Sequence, residues 1–240
     1  MQQVVRYLDA DDFARRVAAR LVTAIAARQA DGHVVHLCLT GGRTATRLYR
    51  EVGRALAESN LDPERLELWW SDERFVPTAN RARLAGSALA LLVRHFALAP
   101  SRTHPMPASD GSFDASAAAA NYARELGDTC FDICLLGVGT DGHVASVFPG
   151  HPSSEATSAR VIAVPDAPTP PERLSLTIPV LNKSSEVWFI ATGADKAKVV
   201  AAGLARDESI PAGRVCGTEA TVWLVDQAAA SELPYFECSL

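Results

Sequence analysis

The chain has 240 residues, 48% of them hydrophobic and 21% charged, with 15 Gly and 14 Pro, which fits a globular protein and excludes collagen-like, disordered and disulfide-knotted classes. A chain of this length buries well over half its surface and needs no staples for stability. Its 23 basic and 28 acidic residues leave a net charge of −5, so no global positive field gathers nucleic acid or an anionic membrane, and an anionic ligand must be held by a local cluster.

Phe13, Val17, Leu21 and Ile25 recur one helical turn apart behind Asp11 and Asp12, which predicts an amphipathic helix with an acidic first turn. His33–Thr40 is a short apolar run that ends at Gly41-Gly42 and reads as a buried strand. Leu48, Val52, Ala55 and Leu56 restore the helical period. Leu66–Ser71 then gives a second strand, and residues 80–95 a second crossover helix. An alanine-rich helix at 115–126 and a strand at Phe131–Gly137 follow. Further strands are predicted at 159–164, 173–177, 186–191 and 221–225, with a helix over 194–205. This alternation predicts an α/β fold: an open, mostly parallel, Rossmann-like sheet with helices on both faces. The Pro-rich stretch 165–171 brings no shift in composition or charge, so residues 1–240 are expected to form one domain with a surface loop there.

The cysteines Cys38, Cys130, Cys134, Cys216 and Cys238 are odd in number and sit mostly in apolar runs, so buried free thiols in a reducing compartment are expected. Cys130 and Cys134 have no second pair at zinc-ribbon spacing, and no metal or cofactor is expected. The first residues lack a basic region followed by an apolar signal core. No apolar run approaches the ~20 residues of a membrane span. A cytoplasmic protein without membrane or nucleic-acid partners is the expectation.

In open parallel sheets ligands gather where strands end, so the strand-to-loop junctions are the places to look for chemistry. The first is Thr40-Gly41-Gly42-Arg43-Thr44, where glycines let the backbone approach a ligand and amides at a helix start can face an anion. Arg47 follows one turn later and could add charge, though such a residue is more often simply solvated on a helix. The second is Ser71-Asp72-Glu73-Arg74. Arg74 offers a planar fork suited to phosphate, and Asp72 can cap a helix, orient an imidazole or hydrogen-bond a sugar hydroxyl. The third is Gly137-Val-Gly-Thr-Asp-Gly-His-Val-Ala-Ser146. It matches G-x-G-x-x-G after a strand, but Pro149, Gly150 and Pro152 interrupt any long fingerprint helix, so the dinucleotide reading fails. What remains is a glycine loop presenting Asp141 and His143, a carboxylate and a general base suited to neutral pH. Arg173 opens a later strand. Lys196 lies in the first turn of a helix, where a bound anion explains a cation better than the helix dipole does.

Taken together, Leu39–Thr44, Trp70–Pro77, Gly137–Ser146 with Phe148-Pro149-Gly150, Arg173–Thr177 and Gly193–Lys196 resemble the blocks of the 6-phosphogluconolactonase family, in the same order and over nearly the whole chain. The resemblance implies the fold shared with glucosamine-6-phosphate deaminase and ribose-5-phosphate isomerase. It also implies hydrolysis of 6-phospho-D-glucono-1,5-lactone in the pentose phosphate pathway. By the same resemblance, Gly41, Gly42, Arg43, Thr44, Arg74, Arg173 and Lys196 hold the substrate's phosphate or sugar, and His143 is the base, with Asp141 or Asp72 orienting the imidazole or the sugar. Arg43 and Ala45 replace the Ser and Pro usual in the first block. A glucosamine-6-phosphate deaminase is the nearest alternative, but Phe148 stands where its pattern has a carboxylate, and D-E-R replaces its D-E-Y. A noncatalytic sugar-phosphate-binding protein is the other. A small-molecule substrate and a monomer or weak homodimer are expected.

Overall fold

The computed structural model describes residues 1–94, 96–155 and 157–234. In chain order its elements are β1 (Gln2–Tyr7), α1 (Ala10–Ala30), β2 (Val35–Leu39), α2 (Arg43–Ala57), β3 (Leu66–Trp70), β4 (Asp72–Arg74), α3 (Leu84–Leu92), β5 (Thr103–His104) and α4 (Ala115–Leu126). There follow β6 (Ile133–Gly137), β7 (Val161–Val164), β8 (Arg173–Leu176), α5 (Ile178–Leu181), β9 (Glu186–Ala191), α6 (Ala197–Leu204), α7 (Pro211–Arg214) and β10 (Ala220–Asp226). A seven-stranded sheet runs in the order β1-β10-β9-β6-β2-β3-β5, and every pairing in it is parallel.

Strand residues alternate between two apolar layers, as the two-residue period of a strand requires. Leu37, Leu39, Leu68, Trp70, Ile133, Leu135, Trp188 and Ile190 face α1, α2 and α3. Cys38, Trp69, Cys134, Leu136, Val187 and Phe189 face the opposite layer of α4, α6, β7 and β8. The α1 stripe of Phe13, Val17, Leu21 and Ile25 is buried, and the Asp9 carboxylate caps the helix by accepting the amides of Asp11 and Asp12. Connections after β2 lead one way along the sheet and those after β6 lead the other. The switch point lies between these neighbours, at their carboxyl ends, and that is where such a sheet opens a ligand crevice.

The structure corrects several expectations. The runs at 159–164 and 173–177 do not join the parallel sheet; as β7 and β8 they form, with β4, a separate antiparallel sheet in the order β4-β8-β7. The chain crosses between sheets at Ser71, whose N–H donates to Leu39 O while its carbonyl accepts from Leu176 N. The helix expected over 80–95 is confined to Leu84–Leu92, because Asn80 folds the preceding segment into turns, its side-chain oxygen accepting Ala82 N. The Gln-rich start of β1 hid an edge strand, paired with β10. Four of the five cysteines lie within the described residues and are free. Cys38 and Cys134 are buried as expected, whereas Cys130 is exposed and Cys216 half-buried; Cys238 lies outside the described residues.

Glu73 has a structural role at the heart of this frame. Its fully buried carboxylate accepts the amides of Leu84 and Ala85, capping α3 in place of a local side chain, and pairs with buried Arg83 at 3.8 Å. Burial pushes its carboxyl above the usual range, against the pull of those amides and of Arg83. Glu73→Ala strands the guanidinium and the helix end together, so a loss of about 3–5 kcal/mol in stability is expected. Urea unfolding measures it, and a change below about 1 kcal/mol would remove this role.

Candidate active site

A cleft of ≈ 550 Å³ opens at the switch point, within the size range of small-molecule sites. Gly41, Gly42, Arg43, Thr44, Asp72, Arg74, His143, Arg173 and Lys196 all line it. Asp141 stands behind His143. Residues expected from five separate segments therefore meet at one place. Arg47, left open by the sequence, also lines the cleft and pairs with Asp11 at 3.2 Å.

The loop after β6 is built around the His143–Asp141 pair. Asp141 Oδ1 lies 2.6 Å from His143 Nδ1 and also accepts the His143 backbone N–H at 3.1 Å. Burial raises the Asp141 carboxyl, but that amide and the nearby imidazole outweigh it and hold the group below its usual value. An ionised Asp141 accepts a hydrogen bond from Nδ1–H, which keeps the ring proton on Nδ1 and leaves Nε2 with a free lone pair. Nε2 has no hydrogen-bond partner among the described residues. Phe148 packs against the ring with centroids 4.8 Å apart. Gly139 is required by close approach, since a Cβ there would lie 2.1 Å from His143 Nδ1 and 2.4 Å from Asp141 Oδ1.

Asp72, the other carboxylate considered for orienting the imidazole, hydrogen-bonds elsewhere. Its two oxygens accept from Ser71 Oγ at 3.2 Å and Ser146 Oγ at 2.8 Å, so it ties β4 to the loop after β6. Ser146 N in turn donates to Ser175 Oγ. These three groups fasten the loop beside Ala145, which is held at φ +50, a conformation that costs a non-glycine residue of order 1–3 kcal/mol.

The opposite wall is basic. Gly42 begins α2 at φ +100 with no side-chain cap, and the first turn holds no acidic residue, so the helix start is left open to an anion. Thr44 Oγ1 and Thr192 Oγ1 share a 2.8 Å hydrogen bond, which joins the first turn of α2 to the loop after β9 across β6. Arg74 and Arg173 are register partners on β4 and β8. Arg74 donates to Ala82 O, while Arg173 donates to Thr169 and stacks its guanidinium 5.9 Å from Phe148. Arg173 Nε is buried without a partner, a donor left for a ligand. Burial lowers the pKa of Arg173, against the pull of Asp72, and lowers that of Lys196, against the pull of Asp195. Each would be relieved by an anion in the cleft.

Two residues were missed by the sequence reading. Buried Asp226 accepts Gly193 N through both oxygens, at 3.0 and 3.1 Å, and so fixes the loop that carries Lys196. It closes an apolar strand, and the strand-end rule applied to β10 would have found it. Asp195 is shared between Arg43 at 3.7 Å and Lys196 at 4.0 Å. Among the described residues no group of three or more His, Cys, Asp or Glu is placed to hold a metal, and no helix is long and apolar enough to cross a membrane.

Comparison with known proteins places the chain among relatives. Residues 8–223 match the family model described as glucosamine-6-phosphate isomerases/6-phosphogluconolactonase. The chain is 42% identical to a 6-phosphogluconolactonase of Streptomyces coelicolor, over 97% of this chain and 95% of that one. It is 37% identical to one from Mycobacterium tuberculosis, over 94% of this chain and 96% of the relative. The fold is similar to the crystal structure of 6-phosphogluconolactonase from Thermotoga maritima, with TM-score 0.82 and 26% identity over 94% of this chain and all of that one. A monomeric glucosamine-6-phosphate deaminase, at 23% identity and TM-score 0.79, shares the fold. The chain thus belongs to the glucosamine-6-phosphate isomerase/6-phosphogluconolactonase family.

Proposed function

We propose that the chain hydrolyses 6-phospho-D-glucono-1,5-lactone to 6-phospho-D-gluconate. The observation that carries this reading is the His143–Asp141 pair, 2.6 Å apart, set in a cleft whose other wall is basic. Water attacks the lactone carbonyl carbon while His143 Nε2 takes its proton. The tetrahedral intermediate collapses with cleavage of the bond from that carbon to the ring oxygen, and the imidazolium returns the proton to the departing oxygen as the C5 hydroxyl. Asp141 holds the ring tautomer throughout. Gly41, Gly42, Arg43, Thr44, Arg74, Arg173 and Lys196 anchor the phosphate, and Asp72 positions the catalytic loop. At Phe148 a deaminase pattern would need a carboxylate; here an apolar ring packs on the histidine instead. We also take the enzyme to work as a monomer or weak homodimer and assign it to the cytoplasm.

Fresh phosphogluconolactone, assayed with and without enzyme to subtract spontaneous hydrolysis, tests the reading directly. No acceleration over the blank would overturn it. For the anchor, Arg173→Ala is expected to weaken phosphogluconate binding by about 1.5–3 kcal/mol, the worth of a charge-assisted hydrogen bond. Calorimetry reads it, and an unchanged affinity moves the phosphate away from β8.

A further inference from the structure

A second cavity, of ≈ 520 Å³, opens between α2 and α3 beside the catalytic cleft. Arg43, Arg47, Arg50, Arg74 and Arg81 line it, and no carboxylate does. In a chain of net charge −5 that is a marked segregation of sign. Arg43, Arg47 and Arg50 fall at i, i+4 and i+7 on α2 and so share one helix face, where like charges repel; the first of them also opposes the helix dipole. Arg43 and Arg47 reach Asp195 and Asp11 at the margins. Arg50 and Arg81 are exposed and pair with no carboxylate among the described residues. Folding stability does not account for such a cluster, and a bound anion does.

The position of this groove identifies the anion. Gly41, Gly42, Arg43 and Arg74, which carry the proposed phosphate anchor, form a wall common to the groove and the cleft. An anion in the groove therefore lies next to the anchored phosphate. The only aromatic lining residue is Tyr49, buried, with its hydroxyl bonded to both Thr40 N and Thr40 O, so no ring is free to stack a nucleobase. We propose that the groove is a second anion subsite for a compact ligand carrying two phosphoryl groups, which places one in the anchor and the other against Arg50 and Arg81. Such a ligand competes with substrate and makes the enzyme responsive to polyphosphorylated metabolites. The location of the first phosphoryl rests on the proposed function; the groove itself does not.

The test is calorimetric titration of inorganic pyrophosphate and of orthophosphate, at fixed ionic strength, into the protein and into the exposed double variant Arg50→Ala/Arg81→Ala. Pyrophosphate is expected to bind at least about 10-fold more tightly than orthophosphate. The variant should lose about that factor for pyrophosphate while its orthophosphate affinity stays within about twofold and its circular dichroism is unchanged. Titration with fructose 1,6-bisphosphate separates a pyrophosphoryl from a sugar-bisphosphate source, the tighter binder naming the occupant. Unchanged pyrophosphate binding in the variant would overturn the subsite. Parallel weakening of both anions, which marks a diffuse field, or a single-stranded oligonucleotide that displaces pyrophosphate through the same two arginines, would overturn it as well. Binding is read without turnover, so a failed lactonase assay with intact, arginine-dependent pyrophosphate binding would refute the proposed function and leave the subsite standing.

Discussion

Removing the phosphate from the substrate is expected to lower kcat/KM by roughly 10³-fold, about 4 kcal/mol of transition-state binding. The proposed anchor residues follow β2 and β9 in the parallel sheet and lie on β4 and β8 of the smaller one, whereas His143 follows β6, so the proposed reading has phosphate and carbonyl held by different parts of the cleft. The Thr44–Thr192 hydrogen bond and the Asp226–Gly193 contacts tie the segments that carry the proposed anchor to each other and to the end of β10. Energy from the remote phosphate can therefore be used to place the carbonyl against the activated water, and a truncated substrate loses kcat together with affinity. Glucono-1,5-lactone compared with its 6-phosphate, after subtraction of spontaneous hydrolysis, measures this. Free inorganic phosphate should restore little, because it cannot orient a detached sugar. Equal kcat/KM values for the two lactones would show that the basic wall is not a substrate anchor.

Much of this site was legible in the sequence because the physics there is local. A strand, a glycine turn and a charged residue are contiguous at Leu39–Thr44 and again at Leu136–His143, and the parallel sheet delivers all such junctions to one edge. The disruption of the G-x-G-x-x-G pattern by Pro149 also translated directly, since β6 is followed by a loop with a single short turn of 3-10 helix at Pro152–Ser154 and no fingerprint helix. Relationships made only by folding were not legible. Asp72, at the start of β4, and His143, on the loop after β6, both line the cleft, yet which carboxylate meets the ring depends on Ser146, which donates to Asp72. The departure of β7 and β8 from the main sheet was hidden for a similar reason: their apolar alternation suits either sheet, and only the crossing at Ser71 decides. Glu73 reads as a surface charge until Arg83 and the start of α3 are brought over it.

His143→Asn is expected to lower kcat by about 10²-fold or more while leaving phosphogluconate affinity within about threefold, the signature of a lost proton acceptor. The ring is 34% exposed and the loop is held by backbone and Ser146 contacts that the substitution does not touch, so the fold should survive. Asparagine keeps a polar group beside Asp141 but offers no basic nitrogen to water. The pH dependence separates the two members of the pair. Because the Asp141 carboxyl is held below its usual value, the stabilisation it gains in the folded protein is present above the ordinary carboxylate range and is lost only as pH falls through its lowered value. Asp141 is thus ionised throughout the near-neutral region, and an acid limb of kcat/KM found there reports a different group. Asp141→Asn should accordingly reduce turnover across the whole near-neutral range, by releasing the tautomer that exposes the Nε2 lone pair. A His143→Asn protein with near-normal kcat, or an Asp141→Asn protein impaired only at the acid end, would place the base elsewhere in the cleft.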